Sequence, residues 1–130
     1  MAKKRRAAAP PPAPPLPRWR QVVVLASLVP MLIGIILFGA SWFGGIWIGD
    51  ATTQTVTGAL LAFFGFTLSN VAQAKWTLAA AWALLGVAVW LLIAPPAPML
   101  RWVGGAAGAI GMALVLLAFV ERYRQIRRAP

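Results

Sequence analysis

Gly104-Gly105-Ala106-Ala107-Gly108-Ala109-Ile110-Gly111 is the stretch on which the reading of this chain turns. It stands inside an apolar run that continues without a charge to Val120. A helix so poor in side-chain volume, placed in a segment long enough to cross a bilayer, exposes its backbone to close approach by another helix. The rest of the chain then reads as partners for that surface.

Working outward, this span covers about 99–120, and Pro95, Pro96 and Pro98 separate it from a third at about 77–94. Successive prolines cannot continue a helix's hydrogen bonding. The second span, about 51–72, is the least hydrophobic, carrying Thr55, Thr57, Thr67, Ser69 and Asn70, yet it holds no charge. Asp50 precedes it as a helix N-cap. The first, about 22–44, exceeds the roughly 20 residues that a helix needs to cross the hydrocarbon. It is too long, and too free of a small-x-small cleavage site, to read as a cleavable signal peptide. Pro30 within it removes a donor from the carbonyl near Ala26, so a kink is expected, with Ser27 placed to engage the freed groups.

The composition agrees. The chain is 61% apolar and 11% charged, against about 45–50% apolar in soluble domains. Twelve Lys and Arg against Asp50 and Glu121 give a net charge of +10. Lys3, Lys4, Arg5, Arg6, Arg18 and Arg20 lie in a Pro-rich arm over 1–20, Lys75 in the turn after the second span, and Arg122, Arg124, Arg127 and Arg128 in a tail over 122–130. With the amino terminus inside, only Arg101 falls outside, a strong positive-inside bias that calls for an even number of spans. Glu121 is spaced to pair with Arg124 one turn on. Trp19, Trp76 and Tyr123 then anchor the inner interface, and Trp42, Trp47, Trp90 and Trp102 the outer one, leaving Trp82 away from either belt.

The expected fold is all-α: an integral membrane domain over 21–121 of four transmembrane helices, arranged as two antiparallel hairpins in a four-helix bundle. Both termini are expected to be cytoplasmic, with the arm disordered and extended by its six prolines between Pro10 and Pro17. Small residues recur on single helix faces: Gly58, Ala62, Gly65 and Ser69 in the second span, Ala79, Ala83 and Gly86 in the third, Gly104, Gly108 and Gly111 in the fourth. Ser27, Gly34 and Ser41 form a thinner version in the first. The third and fourth stripes are expected to meet face to face, with the first two spans packed against that pair.

The chemistry that would carry an activity is missing. Without Cys or His there is no thiolate or imidazole ligation, so no metal or cofactor is expected. No span contains the ionisable residue that proton- or ion-coupled transport requires, including the buried carboxylate on which four-span multidrug exporters rely. The serines have no base for a nucleophilic triad, and the glycines of the fourth span lack the Lys-Ser/Thr ending of a phosphate loop. The basic residues suit anionic lipid headgroups better than nucleic acid, since no aromatic-interleaved basic groove accompanies them.

A non-catalytic accessory or assembly subunit of a larger membrane complex is the first expectation, its partners being other transmembrane subunits or further copies of itself. A self-oligomerising pore or neutral-solute transporter is the alternative. The small size, few spans and basic tail resemble holin-like proteins. A third is a membrane-resident regulator that docks a partner through the Pro-rich arm. Richness in Ala, Arg, Gly and Pro is compatible with a GC-rich bacterial genome, and the expected location is the bacterial cytoplasmic (inner) membrane.

Overall fold

The structure, a computed structural model, describes residues 11–129. The expectations for Lys3, Lys4, Arg5 and Arg6 lie outside that range. From residue 11 to Pro17 the chain is non-helical, as its prolines require. Four helices follow: α1 (Arg18–Trp42), α2 (Ala51–Ala72), α3 (Trp76–Ile93) and α4 (Leu100–Arg128). All four are long and apolar enough to cross a membrane. The shortest, α3, has 18 residues, about 27 Å at 1.5 Å per residue.

Two boundaries differ from expectation. α1 begins at Arg18 rather than near Val22, and α4 runs through Glu121 to Arg128 instead of giving way to a tail. Glu, Arg and Gln are good helix formers, and nothing before Arg128 breaks the ladder. α1 also continues through Pro30 without interruption, and the buried Ser27 hydroxyl donates to Val24 O at 2.6 Å rather than to the carbonyl of Ala26.

α1 packs on α2, α2 on α3 and α3 on α4, and no other pair of helices meets among the described residues. The expected closed bundle is therefore replaced by an open row, in which α1 touches neither α3 nor α4. Lipid tails solvate Leu as well as another helix does, so nothing drives the outer faces of α1 and α4 together. Those faces stay apolar: Leu25 is 65% exposed on α1, and Leu116 is 61% exposed on α4.

Neighbours in the row run in opposite directions. Gly58 abuts Phe38 while Gly65 abuts Ser27 and Met31, and Gly104 abuts Leu91 while Gly111 abuts Ala81 and Leu85. One end of the row consequently gathers Arg18, Arg20, Lys75 and, from the last turns of α4, Arg122, Arg124, Arg127 and Arg128. The other gathers Trp42, Trp47, Trp90 and Trp102 with Asp50 and Arg101. The α1–α2 turn at that second end uses Gly44 at φ +78° and Gly49 at φ +58°, backbone that a side chain would strain.

Candidate functional site

The surfaces that could do something in this molecule are its helix seams, the loop that closes one of them, and the two ends of the row. The α1–α2 seam is the tightest. A Cβ placed on Gly34 would overlap the backbone of Ala62 and lie 2.5 Å from Gly58 O. One on Gly58 would lie 2.6 Å from Phe38 N, and one on Gly65 2.7 Å from Ser27 O. Gly58, Ala62 and Gly65 thus share the face of α2 turned to α1. Ser69, further along, is half-buried and accepts from Gln73 Nε2 at 3.1 Å.

The α3–α4 seam uses Gly104, Gly108 and Gly111 of α4, whose added Cβ atoms would stand 2.8 Å from Leu91 Cβ, 3.4 Å from Ala88 Cβ and 3.0 Å from Leu85 Cγ. These glycines do not meet the Ala79, Ala83, Gly86 stripe. Gly86 is turned to α2, where a Cβ would lie 3.2 Å from Phe63 Cβ, and Ala83 lines the same α2–α3 groove. Buried Ala79 falls on that face by its spacing. The expected face-to-face pairing of small stripes is corrected accordingly. α3 carries small residues on two faces, and Ala81 and Ala88, both buried, lie on the one that α4 takes. Trp82, with no place in either aromatic belt, stacks on Phe66 at 4.9 Å and Phe63 at 5.9 Å between ring centroids.

Gln54 is the residue that reading the sequence missed. It is fully buried in the first turn of α2. Trp47 N–H and Ile48 N–H donate to its Oε1 at 2.5 and 3.2 Å, and its Nε2 donates to Gly45 O at 2.6 Å and Leu37 O at 3.1 Å. One amide thereby uses both its donors and its acceptor oxygen to tie the α1–α2 loop and the end of α1 onto α2. The available signal was an uncharged amide inside a span, which must find partners once water is gone. Beside it Asp50 Oδ1 accepts from Thr53 N–H at 2.7 Å as the N-cap, and that backbone bond holds its carboxyl below the usual value.

Three further polar side chains of the helices bond to carbonyls within their own helix. Ser41 Oγ donates to Phe38 O at 2.6 Å, Thr67 Oγ1 to Phe63 O at 2.8 Å and Asn70 Nδ2 to Phe66 O at 2.7 Å. Thr55 Oγ1 has one proton for two neighbours, Ala51 O at 2.7 Å and Ser41 Oγ at 2.9 Å. Among the expected anchors Trp19, Trp42, Trp47, Trp76, Trp90, Trp102 and Tyr123 are all exposed. The Arg127 guanidinium lies 5.1 Å from the Tyr123 ring centroid. Glu121 makes no ion pair with Arg124 among the described residues.

Comparison of the chain with protein-family models, with curated proteins and with solved structures finds no match.

Proposed function

We propose that this protein is a non-catalytic accessory or assembly subunit of a larger membrane complex, with α1 and α4, the flanks of the open row, taking foreign transmembrane helices. The observation that carries this reading is the row itself, in which the α1–α2 and α3–α4 seams bring glycines against the neighbouring backbone while each flank helix is packed on one side only. A polar pathway through the row finds less support, because Ser41, Thr67 and Asn70 donate to carbonyls of their own helices rather than into a shared channel.

The proposed topology is two antiparallel hairpins with both termini cytoplasmic, in a bacterial inner membrane. Its support is the concentration of Arg18, Arg20, Lys75, Arg122, Arg124, Arg127 and Arg128 at one end of the row and the positive-inside rule. The chain has no native cysteine, so Ala74→Cys and Ala97→Cys can be probed singly. A membrane-impermeant maleimide applied to intact cells should label the second and spare the first. Labelling of the first alone would invert the topology.

The functional reading is tested by extracting the tagged chain from native membranes in a mild detergent and determining native mass. Foreign polypeptides in fixed stoichiometry are the expected result. A homo-oligomer free of other subunits would overturn it in favour of the pore reading.

A further inference from the structure

A groove of about 590 Å³ opens at the basic end of the row, between the α2–α3 turn with the first turn of α3 and the last third of α4. Its polar wall comes from two separate elements: Lys75 and Thr77 on one side, Arg122 and Gln125 on the other. Its apolar wall is Leu78 and Ala118, with Trp76 beside them, 65% exposed. The groove at the other end of the α3–α4 pair has the apolar walls of Leu92, Pro98 and Trp102, with Arg101 as its lone charge.

Three features together select a ligand. Neither Lys75 nor Arg122 is paired with a carboxylate among the described residues, and Lys75 Nζ is instead held by Gln73 Oε1 at 2.7 Å. The groove passes from these cations directly onto helix surface apolar enough to lie in hydrocarbon. An indole stands at the level of that transition, where tryptophan favours the headgroup region. Glu121 also lines the groove and leaves it with a net single positive charge, suited to a monoanionic phosphodiester.

We propose that this groove binds the headgroup of one anionic phospholipid, its phosphate held between Lys75 and Arg122, hydroxyls of the headgroup within reach of Thr77 and Gln125, and its acyl chains along Leu78 and Ala118. The proposal rests on the reading of the four helices as membrane-spanning. It goes beyond diffuse attraction of basic residues to the surface, because the ligand is retained at one place and by two named cations.

The test uses the full chain in nanodiscs of phosphatidylcholine doped with phosphatidylglycerol, followed by native mass spectrometry of lipid retained on release. Failure to enter the nanodisc would count against the membrane reading itself, separately from the site. Lys75→Gln and Arg122→Gln should each weaken retention of phosphatidylglycerol about five-fold, as expected for one cation at an anionic headgroup. Glu121→Gln should strengthen it. Arg127→Gln with Arg128→Gln removes two charges from the same end without touching the groove and should leave retention within about two-fold, the screened remainder of surface charge. Equal losses in the two sets of variants would overturn the site in favour of diffuse charge. Displacement of the lipid by soluble glycerophosphoglycerol, the deacylated headgroup with the same phosphodiester, at matching concentration would overturn its assignment to a lipid.

Discussion

At the scale of single residues, the organising group is the side-chain amide of Gln54. In water such a residue at a helix start would be one polar side chain among many. Here it is buried with two loop amides on its oxygen and two carbonyls on its nitrogen. Gln54→Leu keeps the volume and removes all four bonds, leaving the buried Leu37 O and the part-buried Trp47 N–H and Gly45 O without these partners. The expected cost is roughly 2–4 kcal/mol, since each stranded buried group costs about 1–3 kcal/mol. Thermal unfolding of the chain in detergent micelles would read it, and a midpoint unchanged from the parent would show that the clamp contributes nothing. The residue was illegible in the sequence because polarity inside a span announces that a partner exists without saying which. Asp50, three residues before Thr53, was legible because an N-cap needs only local chain to complete it.

At the scale of elements, the existence of the four helices could be read directly, since charge-free runs of bilayer length and proline punctuation leave few alternatives. Their pairing could be read only in part. α2 offers one glycine face, and α1 takes it through Gly34. α3 offers small residues on two faces, so periodicity alone could not say which would meet the glycines of α4, and Gly86 went to Phe63 of α2 instead. The extension of α4 to Arg128 was hinted at only by the one-turn spacing of Glu121 and Arg124, since charge marks the end of hydrocarbon and says nothing about where the helix stops.

The glycine seams make a sharp contrast available within a single helix. Gly34→Ala would drive a methyl into the backbone of Ala62 and Gly58, whereas Gly39→Ala meets nothing within 4 Å. Backbone cannot step aside as a flexible side chain can. Gly34→Ala should therefore separate α1 from α2 and destabilise by about 1–3 kcal/mol, the usual cost of overpacking. Gly39→Ala should be neutral or slightly stabilising, as alanine is the better helix former. Unfolding midpoints of the two variants, measured side by side, check the pair, and equal midpoints would mean that the seam is looser than its geometry.

At the scale of the whole molecule, the row has two unequal ends and two open flanks. The basic end collects Arg18, Arg20, Lys75 and the arginines that close α4, and the opposite end collects Asp50, the Gln54 clamp and most of the tryptophans. On the proposed function, its flanks are the surfaces that a partner subunit would meet. A four-helix bundle would bury one core and present lipid-facing surface all round. An open row instead leaves α1 and α4 each with one seam made and the remaining surface apolar, Trp102 at 85% and Phe119 at 70% exposure among it. Lipid can cover such surface, and so can another subunit.

The measurement that separates the two most directly is photo-crosslinking in native membranes, with a photoreactive amino acid placed singly at Leu25 on the outer face of α1 and at Leu116 on that of α4. Ala88, buried in the α3–α4 seam, serves as the internal reference. Discrete adducts of fixed mass with foreign polypeptides from Leu25 and Leu116, absent from Ala88, are the predicted result. Adducts with lipid alone from both flanks, or with a second copy of the chain alone, would contradict the assignment of these flanks to a larger complex.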